Sequence, residues 1–346
     1  MKRKTIVLLS IGLGFALILP YFGQNKRVSA EKKQEIVYSQ AECVMEVKSH
    51  RILYEDGGEM RLPMASTTKI ATAITVLNIC KNDTSKLITI PDIAEGVEGS
   101  SVYLKSGDIY SVEELLYGLM LRSGNDCATA LATYCSGNIE AFSAEMNKTA
   151  QVAGALSTHF ANPHGLPCKN HYTTARDLSL ITCYALQNSM FKQIVSTQYY
   201  TPRHWKNKNK MLTGYDGAIG VKTGYTKEAG RCLVTAAERN GMTLVCSVLN
   251  SPMMYERSAV LLDDAFSAYA YTKLLSKDMI FSLKNRKLEQ KVHANEDFYY
   301  PLMDGELENI EICVFANDNV LDQEIVGQIQ IYLVKRLIFS GNLYKL

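Results

Sequence analysis

The sequence predicts an α+β protein in which an antiparallel sheet is packed with helices, followed by a small all-β domain. Three observations carry this expectation. Two short β-type runs precede a long block of helix-forming segments, and two more, joined by Asn240-Gly241, follow it. Beyond about Ser276 the pattern changes to short alternating runs separated by turn residues. A chain of 346 residues with 47% hydrophobic and 21% charged residues is ordinary for a globular protein and long enough for two domains.

The N-terminus reads differently. Lys2, Arg3 and Lys4 precede a largely apolar run from Thr5 to Leu19, Pro20 ends it, and Val28-Ser29-Ala30 offers a small-residue cleavage site. Residues 1–30 are therefore expected to be a signal peptide and the protein to be exported, secreted or held at the outer face of the cytoplasmic membrane or cell wall. An uncleaved anchor is the lesser option, because residues 5–19 are short for a bilayer span. Such a segment would be the chain's sole membrane contact, since the seven residues after Phe339 are too few for a stable amphipathic helix. The expected domains are then 31–275 and 276–346. Removing Lys2, Arg3, Lys4, Lys26 and Arg27 from the 37 basic residues leaves 32 against 35 acidic ones, a net charge of −3. With no basic block either, nucleic acid is not an expected partner. The 9 cysteines are scattered, with no C-x-x-C pair and no zinc-type spacing. Cys80, Cys127, Cys183, Cys232 and Cys246 sit in apolar runs and read as small core residues.

Taken in order, 41–46 and 51–54 form a first hairpin around Lys48-Ser49-His50. Leu62-Pro63-Met64-Ala65-Ser66-Thr67-Thr68-Lys69 then leads into a run that is apolar nearly all round, from Ile70 to Ile79, as in a helix buried on every side. Ser66, Thr67 and Thr68 are expected to offer hydroxyls to its first-turn N–H groups. Residues 81–110 are polar and turn-rich. Ser111-Val112-Glu113-Glu114 is a capping box opening a second helix, which stops at Arg122-Ser123-Gly124-Asn125, and a third begins at Asp126. Thr174 caps a further helix, and Asn162-Pro163-His164-Gly165 is a break. Val221-Lys222-Thr223-Gly224 and Cys232–Ala237 read as strands, Asn240-Gly241 as a hairpin turn, 243–249 as the returning strand, and 256–274 as a last helix. In the tail, Gly327–Leu333 alternates cleanly and Lys335-Arg336 turns into Leu337-Ile338-Phe339.

The chemistry is concentrated in Ser66 and Lys69. At i and i+3 of a helix start they share a face, so the amine can reach the hydroxyl. The positive end of the helix dipole and burial both disfavour the ammonium, which pushes Lys69 towards a neutral, basic form able to activate a serine without histidine. Alone the S-x-x-K spacing proves little, because Ser29–Lys32 repeats it in a polar stretch. Ser123-Gly124-Asn125 in an inter-helix turn and Lys222-Thr223-Gly224 on a core strand complete a set: S-x-x-K, S-x-N, K-T-G, in that order. The S-G-N triplets at Ser136 and Ser340 are decoys, whereas K-T-G occurs once.

With these motifs the stretches 65–73, 99–108, 116–126, 162–166 and 220–230 resemble the low-molecular-mass penicillin-binding proteins, the serine-type D-alanyl-D-alanine carboxypeptidases, over roughly residues 38–275. The resemblance implies the penicillin-binding/β-lactamase-like transpeptidase fold. It implies hydrolysis of the C-terminal D-alanine of peptidoglycan stem peptides ending in D-Ala-D-Ala, covalent inhibition by β-lactam antibiotics, and no cofactor or metal. Ser66 would be the nucleophile, Lys69 its base, and Ser123 a proton relay to the leaving amine. Asn125 would hold the substrate amide and Lys69, and Lys222 and Thr223 the terminal carboxylate with Arg257 assisting. The N–H groups of Ser66 and Tyr225 would form the oxyanion hole. Two other readings are a catalytically dead wall-peptide-binding homologue, disfavoured by the intact nucleophile and base, and a class A-like β-lactamase, disfavoured by the lack of a convincing Glu-x-x-x-Asn loop. His164 and His171 are expected to be structural.

Overall fold

A computed structural model of the chain describes residues 39–285, 288–316 and 325–346, so the proposed signal peptide and its apolar run lie outside the described residues. β1 (Ala41–Glu46) and β2 (Ile52–Asp56) make the expected first hairpin. The buried Glu46 carboxylate closes its turn, accepting from the N–H groups of Lys48 and Ser49 and from the Ser49 hydroxyl. A tight turn, Ala65–Thr68, leads into α1 (Lys69–Ile79), where Ile70, Ala71, Ala73, Ile74, Val76 and Leu77 are all buried. This is the all-round apolar helix its composition implies.

Within the polar stretch that follows, β3 (Leu87–Thr89) pairs with β4 (Ile109–Ser111), a ladder too short to leave a periodic signal in the sequence. The Ser111 capping box opens α2 (Val112–Tyr117) with both of its hydrogen bonds formed. A π-turn, Gly118–Arg122, separates α2 from α3 (Asn125–Ser136). Then come α4 (Ile139–Val152), α5 (Ala175–Leu186) and α6 (Ser189–Ser196), capped by the side chains of Asn138, Thr174 and Asn188. The short β5 (Tyr199–Tyr200), β6 (Trp205–Lys206) and α7 (Met211–Gly214) precede three long strands, β7 (Ala218–Thr226), β8 (Gly230–Arg239) and β9 (Met242–Leu249). Asn240 and Gly241 link the last two with φ of 51° and 78°, the paired positive values of a two-residue hairpin turn. α8 (Met254–Ala268) closes the unit.

These strands form one antiparallel sheet in the order β2-β1-β9-β8-β7, which leaves β7 at an edge. Both faces are covered. On one, the Ser179 hydroxyl of α5 donates to Ser247 of β9. On the other, Arg257 of α8 reaches Glu42 of β1. Every residue of β1 is buried as a result.

The chain divides into two compact units, with the second beginning at Tyr269. The helix expected over 256–274 ends at Ala268, and β10 (Tyr269–Leu275) instead pairs with β13 (Phe298–Met303). Its Tyr-x-Tyr-Thr sequence suits a strand, and the pairing partner overrides the helical pattern before it. A five-stranded antiparallel sheet joins β11 (Ile280–Asn285), β12 (Leu288–Ala294), β14 (Ile310–Ala316), β15 (Ile325–Leu333) and β16 (Arg336–Lys345) in the order β11-β12-β16-β15-β14. Leu275, Val292, Ile329, Ile331 and Leu343 form the core of this all-β unit. Ser340-Gly341-Asn342 lies within β16 as part of the ladder.

Candidate active site

The turn Ala65–Thr68 sets Ser66 at the mouth of α1, but its hydroxyls work in the opposite sense from that expected. Thr67 Oγ1 donates to the Met64 carbonyl at 2.6 Å and Thr68 Oγ1 to the Ala65 carbonyl at 2.8 Å. No side chain caps the N–H groups of this turn, so the threonines clamp the turn from behind rather than filling its open donors. In front of it runs β7. A Cβ on Gly224 would lie 3.0 Å from the Ser66 nitrogen and 3.1 Å from the Met64 oxygen, so glycine is what lets strand and turn approach this closely.

Lys69 is completely buried, and its Nζ meets Ser66 Oγ at 3.0 Å, Asn125 Oδ1 at 2.6 Å and the His164 carbonyl at 2.7 Å. All three partners are neutral. Burial first, and the Lys222 charge second, hold the amine well below the ordinary lysine range. A neutral amine can donate to the two carbonyl-type oxygens and use its lone pair to accept the Ser66 hydroxyl proton, the arrangement a base requires.

Asn125 is fixed on both sides. Its backbone N–H donates to the Ser100 carbonyl at 2.7 Å and its Nδ2 to the Glu98 carbonyl at 2.6 Å, which orients Oδ1 at Lys69. Ser123, buried and at φ 65°, follows the π-turn, an irregularity common where a helix must place a functional side chain. Lys222 is 2% exposed with Nζ donating to the Thr223 carbonyl, and burial, then Lys208, push it down to about 7. Thr223 and Tyr225 share the other side of β7, with Tyr225 exposed.

Arg257 is placed differently from the rest. Its guanidinium grips Glu42 through Nε at 2.8 Å and Nη2 at 2.6 Å, and reaches Tyr54. Thr223 is paired with Leu233, Leu233 with Val248 and Val248 with Glu42, so the backbone of the residue that holds Arg257 lies three strand spacings, about 14 Å, from that of Thr223. The fold thus brings together Ser66, Lys69, Asn125 and the Lys222 strand, and directs Arg257 to a buried carboxylate.

The two histidines serve the scaffold. The Ala161 N–H donates to His171 Nδ1, so Nε2 carries the proton towards Thr68 Oγ1 at 2.8 Å. Burial holds His171 down at about 4 and His164 at about 3, so both are neutral. Sequence reasoning missed three contributors: the His164 carbonyl on Lys69, the charge of Lys208 against both site lysines, and Asp126. The buried Asp126 carboxylate gathers the Ser101 hydroxyl and the N–H groups of Val102 and Leu104, building the wall beside Asn125. Gly99-Ser100-Ser101 was the available signal for that wall.

The sequence profile of the D-alanyl-D-alanine carboxypeptidases matches residues 26–253. The chain is 30% identical over 307 residues to D-alanyl-D-alanine carboxypeptidase DacF of Bacillus subtilis (strain 168), covering 84% of this chain and 78% of that one. It is 38% identical over 229 residues to a D-alanyl-D-alanine carboxypeptidase of Streptomyces sp. (strain K15), covering 60% and 79%. The crystal structure of penicillin-binding protein 5 from Haemophilus influenzae superposes with a TM-score of 0.74 at 27% identity, covering 91% of this chain and 98% of that one. The fold is the one found in the penicillin-binding DD-peptidases, and the chain belongs to the D-alanyl-D-alanine carboxypeptidase family.

Proposed function

We infer that this protein is a serine-type carboxypeptidase that removes the C-terminal D-alanine from peptidoglycan stem peptides through an acyl-enzyme, and that penicillin acylates the same serine. The observation that carries the mechanism is the Lys69 amine, fully buried, without a carboxylate among its hydrogen-bond partners, 3.0 Å from Ser66 Oγ. In this reading Lys69 takes the Ser66 proton as Oγ attacks the penultimate D-Ala carbonyl, and the N–H groups of Ser66 and Tyr225 receive the oxyanion. Ser123 passes the proton to the leaving amine. Asn125 orients the substrate amide while keeping Lys69 in line. Lys222 and Thr223 bind the terminal carboxylate, whose charge restores Lys222 to the ammonium form and restricts the reaction to peptide ends. Water then releases the shortened peptide.

Arg257 contributes in this scheme by fixing β1 against α8 rather than by meeting substrate. The work is extracytoplasmic, with residues 1–30 as export signal and residues 5–19 as membrane contact where the signal is retained. Among the described residues no helix is long and apolar enough to cross a membrane. The test is Ser66→Ala: it should abolish covalent labelling by a fluorescent penicillin and D-Ala release while circular dichroism stays that of the parent. Release of D-Ala at the parent rate would remove Ser66 as nucleophile. Rapid loss of label from the parent would instead mark a β-lactamase.

A further inference from the structure

We propose that Tyr103 is a specificity-determining residue whose ring packs on the part of the stem peptide that precedes D-Ala-D-Ala, chiefly the aliphatic stem of the adjoining residue. The proposal rests on the carboxypeptidase reading and extends it to the acyl side of the substrate. Tyr103 is 83% exposed and has φ of 67°, the left-handed region that a bulky side chain occupies only when its surroundings impose it. Glycine or asparagine would meet that backbone requirement at less cost, so an aromatic ring held out to solvent there needs a reason.

The surroundings do impose it. Asp126, 1% exposed, accepts from Ser101 Oγ at 2.5 Å, from Val102 N at 3.0 Å and from Leu104 N at 3.1 Å. Ser101 Oγ in turn accepts from Tyr103 N at 2.8 Å. The N–H groups on both sides of Tyr103 and its own are thereby tied to one buried carboxylate. Leu104 points inward at 2% exposure, and the tyrosine is turned outward.

The same segment is bolted to the reaction centre. Asn125, whose Oδ1 holds Lys69, grips the Glu98 and Ser100 carbonyls with its two N–H donors. Tyr103 therefore stands on the wall carried by the Ser123–Asn125 turn, and the carboxylate-binding strand β7 supplies the other wall with Tyr225, 65% exposed. A peptide whose C-terminus sits at Lys222 and whose scissile carbonyl sits at Ser66 extends its acyl side along the Asn125 wall. A rigidly presented aromatic ring there gains contact area with little loss of side-chain freedom.

The experiment compares Tyr103→Ala, Tyr103→Asn and Tyr103→Phe on a full stem pentapeptide and on N-acetyl-D-Ala-D-Ala, which shares the scissile bond but lacks the acyl-side residues. Tyr103→Ala and Tyr103→Asn should lower kcat/KM on the pentapeptide about tenfold, mainly through KM, and change the short substrate less than about twofold. Tyr103→Phe should keep the parent's preference. Asparagine suits the left-handed backbone, so a loss shared by both truncations is not a folding defect. Equal losses on the two substrates, or none on either, would overturn the proposal. Binding of the pentapeptide to Ser66→Ala, with and without Tyr103→Ala, provides a readout that needs no turnover. Unchanged affinity there overturns the role of Tyr103, whereas a parent enzyme releasing no D-Ala from either substrate overturns the carboxypeptidase reading instead.

Discussion

Gly99→Ala separates the wall of the site from its reactive groups. Gly99 has φ of +91°, and a Cβ built on it would stand 2.7 Å from Asn125 Nδ2. That is closer than real contacts allow, and the atom in the way is the end of the amide that bridges the Glu98 carbonyl and Lys69 Nζ, each at 2.6 Å. The amide must rotate or retreat. Two effects follow, of different size. The backbone cost of alanine in the left-handed region, about 1–2 kcal/mol, is partly offset by about 0.4–1 kcal/mol from the stiffer unfolded chain, leaving stability lower by about 1 kcal/mol. The hydrogen bond lost at Lys69 contributes about 1.5–3 kcal/mol once the amine has taken the Ser66 proton and carries charge, which corresponds to an acylation rate lower by about 10- to 150-fold. The assay is the second-order rate of labelling by a fluorescent penicillin, set beside urea denaturation of the same preparation. Parent-like labelling together with the modest stability loss would refute the claim that Asn125 keeps Lys69 in line.

Three further outcomes are expected. Lys222→Ala should cost far more on a peptide with a free C-terminal carboxylate than on its amide, as measured by D-Ala or D-alaninamide release, and equal losses would show that Lys222 acts mainly on Lys69. Arg257→Ala strands the Glu42 carboxylate, 3% exposed, and should lower unfolding stability by about 3–5 kcal/mol in denaturant titration; a large loss of activity at unchanged stability would place Arg257 on the substrate after all. His171, held at about 4 against 6.5 unfolded, is neutral in the folded protein and takes up its proton on unfolding. Its contribution is therefore complete above pH 6.5 and lost as pH falls towards 4, about 2 kcal/mol of it by pH 5, so the urea midpoint should drop across that interval and drop less in His171→Gln.

The candidate site was legible because its parts are local. Ser66 and Lys69 lie one helical turn apart, Ser123 and Asn125 share one turn, and Lys222 and Thr223 are neighbours, so each motif carries its own context. The Ser111 capping box and the Asn240-Gly241 hairpin were readable for the same reason. What depends on distant partners was not. In the sequence Asp126 marks only the start of a third helix, because its donors lie at Ser101, Val102 and Leu104, 22 to 25 residues upstream. Arg257 has the place in the chain expected of a carboxylate-binding residue, yet Glu42, 215 residues away, holds its guanidinium. The threonines beside Ser66 show a subtler limit: a hydroxyl near a helix start can accept from N–H groups or donate to carbonyls, and tertiary geometry decides which.

The edge position of β7 has a consequence for the protein's behaviour at high concentration. An outermost strand offers a row of backbone donors and acceptors on which a second chain can pair, a route to association that proteins usually block. Here different elements cover the face of the strand near its two ends. Val195 of α6 lies against Gly220, and the Met64–Thr67 segment lies against Gly224, with backbone atoms of each about 3 Å from where a Cβ would be. A Cβ points out of the sheet, so the serine-bearing turn packs on the face of β7 beside that edge rather than over it. Substitutions that loosen it, such as Thr67→Val or Thr68→Val, remove the clamps on the Met64 and Ala65 carbonyls and uncover the face of β7 next to its unpaired edge, together with Ser66. Such variants would fail as a population before they fail as folded molecules, pairing edge to edge and leaving solution while their secondary structure is still intact.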